Sequence, residues 1–164
     1  MNMDDLFLKA CQNGQKSVVI TFLKKGGINL DKRDSEGFAS LHYACKRGRR
    51  DIVKLLVEHE ADVTLASNQS ITPLHQACYN NQSEVVKLML KDSNTDVNAQ
   101  SDSGETPLYI AVHQGNLYIA ELLLEAGANP NLQHTGGELP LHFAAKTGNE
   151  YIAALKGKYF SQSK

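Results

Sequence analysis

Apolar positions in this chain come in short bursts with helical spacing, separated by polar turns. Leu74, Ala77 and Cys78 stand at i, i+3 and i+4, which is one face of a short helix. Thr72 before them is a good N-cap, and Pro73 suits the first helical position. Asn81 stops that helix. A second apolar face follows with Val85, Val86, Leu88 and Met89. Each predicted helix is too short and too amphipathic to stand alone in water, so its apolar face must be buried on a neighbour.

The bursts recur. The pair Leu41-His42 returns as Leu74-His75, Leu108-Tyr109 and Leu141-His142, in steps of 33, 34 and 33 residues. Seven residues after each Leu stands Gly48, Asn81, Gly115 or Gly148. Asn is the commonest substitute for Gly where the backbone needs positive φ, so the exception preserves the turn. Such periodicity marks stacked repeats, each burying its apolar face on the next.

The repeat also sorts the residues that look chemical. "TPLHQACYNN" holds a His, a Cys and a Tyr within six residues, as a thiol enzyme or metal site would. But Cys11, Cys45 and Cys78 share a column that continues with Val112 and Ala145. A column accepting Cys, Val and Ala selects a small apolar side chain. Helices one repeat apart lie about 8–10 Å apart, beyond the roughly 7 Å Cα separation of a disulfide. His42, His75 and His142 share a column with Tyr109, too far apart for one metal ion, whose ligands sit about 2 Å from it. That ring is expected to bond the turn before its helix. His59, His113 and His134 share no column and are expected at the surface.

The segments "ITPLHQACYNNQSEVVKLML" and "GETPLYIAVHQGNLYIAELLLEAGANPNLQ" closely resemble the ankyrin repeat, a β-turn and two antiparallel helices with a T-P-L-H start. The resemblance implies an all-α solenoid of about five helix-turn-helix units with β-turn or hairpin loops. They form a single domain over 1–164: a degenerate N-terminal cap at 1–33, units at 34–66, 67–100 and 101–133, and a C-terminal cap at 134–164. Departures are visible. Ala39 and Ser40 stand where Thr and Pro are expected, leaving Ser40 or Ser35 to cap. Ser70 occupies a Gly column, "LKDSNTDVN" carries an extra residue, and Lys156 replaces a Leu, as expected of an outer cap or equally of a longer protein cut at this point.

Composition removes function classes. The net charge is −1 across 164 residues, so no basic field draws the chain to nucleic acid. No run of eighteen apolar residues exists to span a membrane. Three cysteines, an odd count with no export signal, favour reduced thiols in the cytoplasm or nucleus. No Gly-rich phosphate loop, Cys-x-x-Cys or G-x-S-x-G elbow is present, so no enzyme, metal or cofactor is expected.

The family resemblance implies binding of another protein through turn tips and the inner face of the first helices. Column by column, it nominates Phe38, Ile71, Glu105 and Glu138 after the turn, and Arg47, Tyr79, Asn80 and His113 at the helix ends. Phe38, Ile71 and Tyr79 are expected to be exposed apolar neighbours, as an interface hot spot requires, the alternative being that Phe38 and Ile71 simply fold over the turn. The resemblance further implies that Asn98 and Asn131 occupy the column modified by asparaginyl hydroxylases. The module is expected to be a monomer, alone or as the recognition domain of a larger enzyme or signalling protein.

Charge is uneven. Between Lys91 and Lys146 there is no Lys or Arg, while Lys32, Arg33, Lys46, Arg47, Arg49 and Arg50 crowd the second unit. A solvated face on each repeat fits this pattern, and so does a dipolar groove that orients a charged partner.

Overall fold

The computed structural model describes residues 1–137, 139 and 157. The chain divides into two compact units, Met1–Thr95 and Asp96–Lys164. Unit 1 contains helices α1 (Met3–Gln12), α2 (Lys16–Lys25), α3 (Ser40–Lys46), α4 (Arg50–Glu58), α5 (Pro73–Tyr79) and α6 (Ser83–Met89). Unit 2 contains α7 (Pro107–His113) and α8 (Leu117–Glu125). No strand occurs among the described residues. Most of the expected C-terminal cap, His142, Ala145, Gly148 and Lys156 included, lies outside them.

Unit 1 is two layers of helices. The first helices pack in chain order, α1 on α3 and α3 on α5, while α2, α4 and α6 form the second layer. The seam between the first helices is lined by Ala10 and Cys11, Ala44 and Cys45, Ala77 and Cys78, all essentially inaccessible. Small side chains there let the helices approach closely, while Phe7, Leu41 and Leu74 fill the space beside them. Ile52, Val53, Leu56, Val85, Val86 and Met89 bury the inward face of the second layer. The extra residue before Asp96 accompanies a shorter helix, since α6 has 7 residues where α4 and α8 have 9. In unit 2, α7 packs antiparallel against α8 through Leu108, Val112, Ile119 and Leu123.

The helix stops follow the sequence pattern. Gly14, Gly48 and Gly115 have φ of 69°, 67° and 70°, and Asn81 takes 55° in their column. Ser70 likewise adopts φ 62° in the column of Gly37 and Gly104.

The caps bring one correction. Thr72 caps α5 by accepting from the His75 N–H, with Pro73 at the first position, and Thr106 and Pro107 do the same for α7. Neither Ser35 nor Ser40 caps α3. Ala39 is its N-cap and offers no side-chain acceptor to the His42 N–H; the His42 ring instead secures the N-cap residue itself, its Nδ1 accepting the Ala39 N–H at 3.0 Å. Ser40 is turned inward and is hydrogen-bonded with Cys11.

Candidate interaction surface

The repeats of α3, α5 and α7 each begin with a tight turn organised by one side chain. In unit 1 the Asp34 carboxylate accepts the N–H groups of Glu36 and Phe38, both at 3.0 Å, and the Tyr43 hydroxyl donates to its other oxygen. Burial, reinforced by this carboxylate, pushes the Tyr43 phenol up to about 12. One repeat later Ser67 Oγ accepts from Gln69 and Ile71. The two tips are laced together, with Asn68 N–H donating to the Glu36 carbonyl at 3.0 Å and Asn68 Nδ2 to the Ser35 carbonyl at 2.9 Å. In unit 2 Ser101 Oγ accepts the Glu105 N–H, and Thr135 N–H donates to the Ser103 carbonyl.

A second turn in each repeat forms a column that the sequence reading missed. Side chains of Asn29, Asp62, Asp96 and Asn129 each accept the N–H two residues on, at Asp31, Thr64, Asn98 and Asn131. These are Asx turns, and short Asn or Asp side chains at 33–34-residue spacing were the available signal. The column two residues later links neighbouring repeats. Asp31 Oδ1 accepts the Asp62 N–H at 2.9 Å, and Asn98 Oδ1 accepts the Asn129 N–H at 2.7 Å. Asn98, one of the two residues nominated for hydroxylation, thus has its side-chain oxygen engaged in a structural bond, whereas Asn131 is exposed.

The candidate binding residues separate by exposure. Arg47 and Asn80 are exposed at the ends of α3 and α5, and Tyr79 is half-buried beside Asn80. The expectation that Ile71 is exposed is overturned, since only 8% of it is accessible. Phe38 is also less open than expected; it is half-buried, with its ring edge-on to His42 at 5.3 Å and to Tyr43 at 6.0 Å. The reason is geometric. Gly37 and Ser70, at positive φ, reverse the chain into the stack, so the next side chain follows it inward. Phe38 still lines a small cleft between the tips with Ser35, Glu36, Ser67, Asn68 and Gln69. In unit 2 Glu105 is half-buried and accepts from Ser103 Oγ. His113 is exposed and lies over Tyr109 at 6.0 Å. His134, expected at the surface, is half-buried and stacks flat on Tyr109 at 4.9 Å. Glu138 lies outside the described residues.

The residues that looked chemical serve the scaffold. Burial pushes the Cys11 thiol up to about 11, and raises Cys45 and Cys78 further. A thiol held so far from ionisation is a poor nucleophile. His42 bridges repeats: while its Nδ1 caps α3, its Nε2 donates to the Ile71 carbonyl at 2.9 Å. The turn before its own helix was the expected partner, and the next repeat is an additional one. Burial outweighs that carbonyl's influence and lowers the ring to about 4, so it is neutral at neutral pH. His75 repeats the cap, its Nδ1 accepting the Thr72 N–H at 3.1 Å.

Sequence comparison agrees with this architecture. The profile of ankyrin repeats (three copies) matches residues 3–67 and 64–134. Human BCL-6 corepressor-like protein 1 is 38% identical over 64 residues, which are 39% of this chain and 4% of that protein. Human scaffold protein ILK is 33% identical over 63 residues, 38% of this chain and 14% of that protein. Delta-latroinsectotoxin-Lt1a of Latrodectus tredecimguttatus is 34% identical over 58 residues, 35% of this chain and 5% of the toxin. The chain thus matches only a small part of each relative's length. Ankyrin repeats are protein-interaction modules and are generally non-catalytic. With profile matches running from residue 3 to 134 and the repeat geometry in place, this chain belongs to the ankyrin-repeat family.

Proposed function

We propose that the chain is a non-catalytic adaptor of the cytoplasm that binds a partner protein on the inner face of the first helices in unit 1. The observation carrying this reading is a contrast within that face. Its buried residues are committed to caps and core, whereas Arg47, Tyr79 and Asn80 project from the ends of α3 and α5 with only partial burial or none. Phe38 adds apolar surface at the adjoining tip. A Tyr and an Arg among polar neighbours are the residue types on which interface energy concentrates. The tips and helix ends are fixed by hydrogen bonds before any partner arrives, so little ordering entropy is lost on binding.

The test is affinity capture with the full chain, followed by variants. Arg47→Glu and Tyr79→Ala are expected to release the partner at unchanged circular dichroism. Lys54→Ala and Lys87→Ala, exposed on the second-layer helices α4 and α6, are expected to retain it. Release by the second pair with retention by the first would move the binding face to the outer layer. Ile71 is left out, because truncating a buried residue would confound lost contact with lost stability.

A further inference from the structure

The turns joining the two helices of each repeat in unit 1 share an unusual charge pattern. The turn between α3 and α4 holds Lys46, Arg47, Arg49 and Arg50, all exposed. None of the four makes an ion pair among the described residues. The nearest carboxylate in sequence, Asp51, is paired with Lys16 of the preceding repeat at 3.5 Å. The flanking turns present amides: Asn13 and Gln15 on one side, Asn80 and Gln82 on the other. No carboxylate occurs in any of the three turns (13–16, 46–50 and 80–83); Glu84 lies one residue beyond the last.

These turns are tied into one strip. Gln82 Nε2 donates to the Lys46 carbonyl at 3.1 Å, and its side chain fills the space a Cβ on Gly48 would need. Arg49 does the same over Gly14, its guanidinium 2.5 Å from where a Cβ would stand. Arg49 therefore has a packing role, and Lys46 and Arg47 sit favourably at the C-terminal end of α3. Arg50 has neither excuse. It is the first residue of α4, where the helix dipole disfavours a cation.

We propose that this strip receives an extended Asp/Glu-rich segment of the partner protein, laid across the three turns with its carboxylates on Arg47 and Arg50. The proposal rests on the reading of unit 1 as the interaction face and names the chemistry of what binds there. Spacing supports an extended segment. Neighbouring helices lie about 10 Å apart, and an extended chain advances about 3.3 Å per residue, so side chains three apart meet successive turns, those over the middle turn reaching Arg47 and Arg50 and those on either side reaching the flanking amides. The amides flanking the cations can donate to the same carboxylates or to the segment's backbone carbonyls.

The experiment is fluorescence anisotropy on the full chain. The probe is a labelled peptide of about twelve residues with Glu at every third position, enough to cross three turns. A Gln-for-Glu copy and an oligouridylate of equal length serve as controls. The Glu peptide is expected to bind saturably and more weakly as salt rises, and the Gln copy not to bind. Arg47→Ala with Arg50→Ala should weaken the Glu peptide by about tenfold or more, while Lys54→Ala with Lys87→Ala should leave it unchanged. Equal binding of the two peptides, or equal loss in both variant pairs, overturns the proposal. So does tighter binding of the oligouridylate, which would make the strip a nucleic-acid site. If the Glu peptide fails to bind while Arg47→Glu and Tyr79→Ala still release a captured partner, the acidic segment is wrong and the interaction face stands.

Discussion

Two neighbouring repeats of unit 1 reach the same fold from different starts. The repeat of α5 and α6 opens with Thr72-Pro73, and Thr72 accepts a backbone N–H at the head of its helix. The repeat of α3 and α4 opens with Ala39-Ser40 and has no side-chain oxygen in that role. Both helices nevertheless have 7 residues and the same buried pattern of Leu, His, Ala and Cys. What they share is the ring: His42 and His75 each accept the N–H of their own N-cap residue through Nδ1. The Thr is thus one of two devices at this helix start, and the His is the one both repeats use. Losing the Thr leaves more of the repeat's integrity resting on a single imidazole.

The sharpest way to break the comparison is His42→Ala. It strands the Ala39 N–H and the Ile71 carbonyl, and it opens a cavity where the ring was inaccessible. Each buried group left unpaired costs about 1–3 kcal/mol, so a loss of about 3 kcal/mol or more is expected in urea unfolding. A loss below about 1 kcal/mol would mean that the ring is not the cap. Acid tests the same ring without mutation. Its folded value, about 4, lies below the ordinary histidine value of 6.5. The unfolded state therefore binds the proton more readily. His42's contribution is intact above pH 6.5 and is lost as pH falls toward 4, by up to about 3 kcal/mol. The decline across that window should be shallower in His42→Ala.

Smaller and reciprocal effects are expected at the N-cap itself. Thr72→Ala removes the acceptor for the His75 N–H and should cost about 1 kcal/mol. The converse, Ala39→Thr, installs that acceptor in front of α3 and should gain about 0.5–1 kcal/mol. Thr already fills this column at Thr72 and Thr106, ahead of α5 and α7. If thermal unfolding shows both changes to be neutral, the difference between the two starts has no energetic content.

How legible this was depended on which physics wrote each residue. The helices, their order and their stops were readable, because apolar spacing and positive-φ positions recur at a fixed period. Asn81 in the Gly column was read correctly for that reason. The cap of α3 was misread. Hydroxyls stand near the helix start at Ser35 and Ser40, but the side chain that holds it is an imidazole three residues inside the helix, bonded to the N–H of the N-cap residue itself. Ile71 was misread through its column, which the family resemblance marks as a binding column. Its own apolarity was the better guide, since a side chain following a reversing residue turns toward the stack. The family of the fold was legible from sequence. Which columns form a surface needed coordinates, because a half-turn of backbone decides exposure and leaves no trace in spacing.

The last difference between the two repeats is the charge at the start of the second helix. Helix α4 opens with Arg50, following Arg49, while α6 opens with Ser83 and Glu84. A charge in the first turn is worth about 0.3–1 kcal/mol through the helix dipole, with acids favoured and cations disfavoured. Arg50→Glu should therefore stabilise the protein, by about 0.5 kcal/mol once repulsion from Asp51 is set against relief from Lys46, Arg47 and Arg49. The gain should fade at 1 M salt, where the screening length is about 3 Å. Glu84→Lys in the neighbouring repeat should move stability the other way by a similar amount. Stability and binding then part company at one residue: Arg50→Glu is expected to melt higher than the parent and to lose the acidic peptide. If the variant melts lower, Arg50 has a structural role in α4 that the dipole argument misses. A loss of peptide binding in that variant would then no longer separate contact from fold.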